Sequence, residues 1–165
     1  MKEVEKVSTH ENLPTQTIFN SSIQFTDSAK LTFQISGGKI DRYTGDEPRD
    51  EFSDGVKVIS YNRNGTIESI IISRKAINYP KELRMEASDS VVLESSEGKK
   101  LETEMLIWDQ EANRIFTDKN VTITTPTEIL WGQGLEASDD FSSYEIRNMT
   151  GQIKLKDQAA DSTKS

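Results

Sequence analysis

The stretch Leu101–Gly151, LETEMLIWDQEANRIFTDKNVTITTPTEILWGQGLEASDDFSSYEIRNMTG, decides how this chain is read. Its pattern predicts four β-strands: Leu101–Trp108, Arg114–Thr124, Glu128–Ala137 and Tyr144–Met149. The connections Asp109–Asn113, Thr125–Thr127 and Ser138–Ser143 are polar and short enough for hairpins. Val121 and Ile123 face one way, Thr122 and Thr124 the other, and such two-residue alternation marks a half-buried strand. Both tryptophans of the chain, Trp108 and Trp131, lie here.

Working backwards, the stretch looks like a copy of what precedes it. Gly65-Thr66-Ile67-Glu68, Gly98-Lys99-Lys100-Leu101-Glu102 and Gly132-Gln133-Gly134-Leu135-Glu136 recur at a spacing of about 34 residues. Val56, Val91 and Val121 lead the strand before each glycine turn. Tyr79 and Trp108 occupy similar places in successive copies. A short period with one hairpin per copy is the mark of stacked β-units.

The first half supplies further strands. Ile18–Phe25 is followed by the turn Thr26-Asp27-Ser28 and by Lys30–Ser36. Gly37-Gly38 reads as the next turn, because glycine accepts positive φ at little steric cost. Lys39–Tyr43 follows as a short strand, then the loop Thr44–Glu51. Val56–Tyr61 and Thr66–Arg74 flank Asn64-Gly65, a strong hairpin signal. The triplet Ile70-Ile71-Ile72 suggests a strand covered on both faces or an unusually apolar inner layer. Ala76–Tyr79 ends at Pro80, which interrupts a central strand. Leu83–Ala87 and Ser90–Ser95 form the next pair, and Gln152–Leu155 is a candidate final edge strand. The sum is about a dozen short antiparallel strands and no helix. That spacing suits a sandwich, jelly roll or open barrel, and a hairpin repeat favours a roll with open edges.

The remaining 165-residue chain properties set limits. One domain is expected at this length. Residues 1–15 read as a flexible linker following a removed export or anchoring segment, residues 16–156 as the folded domain, and residues 157–165 as a polar tail. The net charge of −8 repels a phosphate backbone, and no basic run with interleaved aromatics offsets it, so nucleic acid is not an expected partner. With no cysteine, neither a disulfide nor a thiolate site exists.

Catalytic and metal chemistry find little support. The single histidine, His10, sits in the polar start, away from any triad or ligand set. Asp139-Asp140 with Asp118 or Asp109 lacks a calcium-loop pattern, and acids in turns are most simply turn formers. Glu102 and Glu104 share a strand face that solvation explains better than a carboxylate pair does. Four Asn-x-Ser/Thr triplets, at Asn20, Asn64, Asn120 and Asn148, are a weak glycan signal. Neither a cofactor nor a metal is expected.

What remains is apolar. Leu31, Phe33, Ile35, Val56, Val58, Ile70, Ile72, Val91, Leu93, Leu106, Trp108, Val121, Ile123, Leu135, Ala137 and Ile146 are expected to point inward. They form either an ordinary closed core or the lining of a roll that holds lipid chains. Alternation cannot separate the two, since both need the same residues.

Several segments resemble a known family. LxTExLxWD (Leu101–Asp109), RIFTDKNVTI (Arg114–Ile123), GxGLEAS (Gly132–Ser138) and YEIRNxxG (Tyr144–Gly151) are similar to the C-terminal half of LptC, in the form often made as a lipoprotein in Bacteroidetes-type bacteria. FTDSAKLTF (Phe25–Phe33), EFSDGVKV (Glu51–Val58) and Ala76–Tyr79 fit less specifically. The resemblance implies a twisted antiparallel β-jelly roll related to LptA. It implies a periplasmic domain, anchored to the inner membrane in the full-length protein. Its role would be to pass lipopolysaccharide, without catalysis, from the inner-membrane ABC transporter to an LptA-like bridge. The implied lipid lining is Phe33, Val56, Val58, Ile70, Ile72, Val91, Leu93, Leu106, Trp108, Val121, Ile123, Leu135 and Ile146. The implied partner edge, offered for strand pairing, is Tyr144, Ile146 and Ile153. The competing expectation is an extracytoplasmic β-sandwich that binds carbohydrate, with tryptophan or tyrosine stacked on sugars. The two differ in where Trp108 and Trp131 sit: inside a groove for lipid, on an exposed flat face for sugar.

Overall fold

The computed structural model describes residues 13–155, which form ten strands in a single antiparallel sheet. His10, most of the expected linker and the 157–165 tail lie outside the described residues. The strands are β1 (Gln16–Asp27), β2 (Lys30–Tyr43), β3 (Arg49–Tyr61), β4 (Ile67–Ser73), β5 (Lys75–Tyr79), β6 (Arg84–Ser95), β7 (Lys100–Asp109), β8 (Arg114–Thr124), β9 (Glu128–Ser138) and β10 (Tyr144–Lys154). They pair in chain order. The one departure is that β4 and β5 lie end to end between β3 and β6. The all-β antiparallel roll expected from the sequence is the fold observed.

The four strands read from the opening stretch stand almost where the alternation put them, and Arg114–Thr124 is identical. Over the described residues, ten longer strands replace the expected dozen short ones, and the differences lie mostly in the first half. Gly37-Gly38 is not a turn: β2 runs straight through it with a register shift against β3. A Cβ on Gly38 would sit 2.6 Å from the Asp54 carbonyl oxygen, so glycine is there for close backbone approach. Leu83–Ala87 and Ser90–Ser95 likewise join across a bulge as β6. Gln152–Leu155 is no separate edge strand, because β10 continues to Lys154.

These irregularities line up. Asn20 in β1 has φ +49°, Asp54 and Gly55 in β3 have +61° and +88°, Asp89 and Ser90 in β6 have +71° and +59°, and Gly134 in β9 has +83°. Arg74 separates β4 from β5, and its N–H donates to the Asp89 carbonyl at 3.0 Å. The β7–β8 and β8–β9 registers shift at the same level. Bulges bend strands and tighten twist, so a row of them folds the sheet onto itself. Phe33 on β2 therefore meets Trp108 on β7, ring centroids 4.8 Å apart, although these strands are not neighbours in the sheet. The two layers of the roll are the two halves of one sheet.

The core is made by the inward residues of both halves. Val56, Val91 and Val121 each stand just past a bulge and are buried, so their recurrence reflects structural equivalence. The glycine part of the repeat holds for Gly65 and Gly98, which occupy turns at positive φ. Gly132 breaks it. It lies inside β9, where a Cβ would collide with the Ile146 side chain.

The Ile70–Ile72 triplet corrects another expectation. Ser69, Ile71 and Ser73 point inward and are buried, whereas Ile70 is on the opposite face and Ile72 is 52% exposed. Neither Ile70 nor Ile72 lines the interior. The β4 strand is covered on one face only, and its register, not its composition, selects the middle isoleucine. Ile71→Ala is therefore expected to cost about 2–4 kcal/mol, and Ile72→Ala less than about 1 kcal/mol; urea unfolding of the two variants measures the difference.

Candidate functional site

The interior of the roll is the largest concentration of special side chains, and it is apolar. Of the residues expected to line it, Phe33, Val56, Val58, Val91, Leu93, Leu106, Trp108, Val121, Ile123 and Leu135 are buried in one continuous cluster. Ile146 packs against that cluster while only partly buried. The alternation missed Ile40, Phe52, Ile71, Met85, Leu101, Ile115, Leu130 and Phe141, all buried. Several were legible. Met85, Leu101 and Ile115 continue the inward period on strands already recognised. Phe141 left no signal, because it stands in a turn.

In the described conformation this interior is closed. Ile35, Leu93, Leu101, Ile123 and Leu135 are fully inaccessible to solvent. Near β1 the packing is looser: Ile18, Ile23 and Phe25 are only partly buried, with Phe25 stacked on Phe33 at 4.2 Å. Outside, a groove of about 620 Å³ crosses the bulge line of β1–β3, lined by Ser22, Gln34, Ser36 and Lys57 with Ile72.

Two buried hydroxyls and one surface arginine serve the bulges. Thr103 donates from Oγ1 to the Asn120 carbonyl at 2.8 Å, and Ser73 from Oγ to the Lys75 carbonyl at 2.9 Å. Arg147 passes over Gly134 to donate to the Thr117 carbonyl at 2.8 Å. Bulges leave backbone groups without ladder partners, and these side chains satisfy them.

Trp108 is 8% exposed, and its indole N–H donates to the Asp139 carboxylate at 3.4 Å. Burial holds the Asp139 carboxyl above the usual aspartate range, although the indole N–H and backbone donors counteract the shift and Asp140 adds to it. Glu68 is raised as well, by burial first and then by Asp139 and Asp140. Asp140 is lowered despite burial, because the Ser142 and Ser138 hydroxyls and the Ser142 N–H donate to it. Trp131 lies on the outer face of β9, half-buried, with Gly151 against its ring. Trp108 does not offer the open flat face that sugar stacking requires.

The sheet has two edges, since β1 pairs only with β2 and β10 only with β9. All three expected partner-edge residues, Tyr144, Ile146 and Ile153, are on β10. Tyr144 and Ile146 pack against the core, and Ile153 is 51% exposed. Met149 and Leu155 are exposed beside it, at 54% and 40%. Among the described residues no helix is long and apolar enough to cross a membrane.

The protein-family model described as "Lipopolysaccharide-assembly, LptC-related" matches residues 2–162. No curated protein matches the chain.

The raised carboxyls give a signed prediction. An acid whose folded-state pKa is raised binds its proton more tightly in the folded state, so stability falls as pH rises through that pKa. Asp139→Asn keeps an acceptor for the Trp108 N–H and removes the charge. It is expected to stabilise the fold at neutral pH by less than about 1 kcal/mol, since the site is half open to solvent. The gain disappears in acid, where both proteins are neutral there. Thermal unfolding of the two proteins across the acid-to-neutral range checks it.

Proposed function

The chain belongs to the LptC-related family of lipopolysaccharide assembly, and on that premise we propose that this domain carries lipopolysaccharide, without catalysis, from the inner-membrane ABC transporter to a periplasmic bridge. The observation that carries the reading is a continuous apolar interior in a roll whose sheet is left open at both edges.

Burying one methylene is worth about 0.8 kcal/mol, so an acyl chain of about a dozen carbons gains on the order of 10 kcal/mol inside such an interior. Releasing several chains into water at each transfer would be prohibitively slow. Rolls stacked edge to edge remove that step, because each chain passes from one apolar lining to an equivalent one. The β10 edge supplies unpaired N–H and C=O groups for the next roll, an LptA-like bridge protein, with Ile153, Met149 and Leu155 as apolar contacts at its C-terminal part. The domain holds no energy source in this scheme, so direction comes from ATP hydrolysis in the transporter.

The lining residues Val121 and Ile123 are central to the test. A photoreactive amino acid at either position is expected to crosslink lipopolysaccharide, and arginine at the other position (Ile123→Arg or Val121→Arg) to abolish that crosslinking in variants that circular dichroism shows to be folded. Unmodified lipid at both positions would refute an interior route. Separately, truncation after Tyr144 removes nearly all of β10 and is expected to weaken docking to the bridge protein by at least about tenfold, read by surface plasmon resonance.

A further inference from the structure

The closed interior has one closing element that stands apart from the strands. Phe141 lies in the turn between β9 and β10, where side chains ordinarily face solvent, yet it is fully buried. Its φ is +58°, in the left-handed region that a bulky side chain adopts only under constraint. Its ring lies 5.3 Å from that of Tyr144.

The turn is closed on itself by the Phe141 N–H donating to the Ser138 carbonyl at 2.9 Å and is tied to the adjacent β7–β8 turn by the Asp139 N–H donating to the Asn113 carbonyl at 3.1 Å, and a further tie comes from across the fold. Lys99 belongs to the β6–β7 turn, at the far end of the strands. Its ammonium donates to the Ser142 carbonyl at 3.0 Å and to the Phe141 carbonyl at 3.5 Å. The Trp108 N–H reaches Asp139 from inside. Asp140 knits the turn internally through Ser138 and Ser142. Burial raises the Glu68 carboxyl on β4, and the charges of Asp139 and Asp140 add to that shift. The turn is thus tied by a few polar contacts, one of them a single lysine, and anchored by one aromatic ring. Water can replace the polar contacts. A hydrocarbon chain can replace the ring, because burial of apolar area does not depend on which apolar group is buried.

We propose that the 139–143 turn is a strap and Phe141 its stopper: closed, the ring fills the interior beside β10; swung out, it leaves that space to an acyl chain. The strap explains how a sealed interior can load and unload without the sheet coming apart, and opening relieves the backbone constraint at Phe141. The inference rests on the lipid-carrying reading above.

The chain has no cysteine, so paired cysteines report cleanly. The Lys99→Cys/Ser142→Cys double variant, bridged by a reducible bismaleimide, locks the strap. Uptake of a pyrene-labelled anionic phospholipid and of purified lipopolysaccharide is compared before bridging, after bridging and after reduction. Acrylamide quenching of Trp108 in a Trp131→Phe background follows opening directly. Uptake is expected to slow by at least about tenfold on bridging and to recover on reduction, with Trp108 quenching falling and recovering in step. Phe141→Ala is expected to load faster than the parent protein. Equal uptake by bridged and unbridged protein, with the parent still binding lipid, overturns the strap and leaves the lipid reading intact. Absence of lipid binding by the parent and by every variant overturns both. If Phe141→Ala does not fold, the bridging comparison decides alone.

Discussion

The structure depends on a line of backbone irregularities that crosses the sheet from β1 to β9. A flat antiparallel meander of this length would expose one apolar face to water along its whole area. The bulges at Asp54-Gly55, Asp89-Ser90 and the register shift after Thr117 let the strands bend at one level. The sheet then closes on its own apolar face, with β4 in one layer and β5 in the other. Loss of regular pairing at the bulges is offset by inward hydroxyls and by Arg147, which take up the freed backbone groups.

This arrangement couples two properties that the proposed lipid carriage needs. Folding over a line of bulges encloses a file of apolar side chains running from Phe25 and Phe33 to Phe141 and Tyr144. It does so without pairing β1 to β10, so both edges of the sheet stay available. A closed barrel would have abolished the edges. A sandwich of two independent sheets would have placed four edges in the structure instead of two.

Electrostatics are concentrated where the halves meet. Most ion pairs sit on exposed strand faces, such as Arg114 with Glu136 at 3.2 Å, and contribute little. The exception is the Glu68, Asp139 and Asp140 group, where burial sets carboxyls against one another at the β9–β10 turn. Lys99 and the Trp108 N–H compensate in part.

The sequence by itself determined the all-β class, most strand positions in the second half, and most of the interior. Two-residue alternation is a local signal, and Val121, Ile123, Leu106 and Leu135 obey it. The Ser/Thr-Asp pairs Ser53-Asp54, Ser88-Asp89 and Thr117-Asp118 stand at the bulges, but such residues serve turns equally well, so the bulges could not be read from them. Only the tertiary structure decided that Gly37-Gly38 carries a strand onward, that Ile71 and not Ile70 or Ile72 faces inward, and that a phenylalanine from a turn completes the core. A bulge and a turn use the same residue types, and a register is chosen by partners distant in sequence. The burial of Phe141 arises only when opposite ends of the strands have been folded together, so no local pattern could contain it.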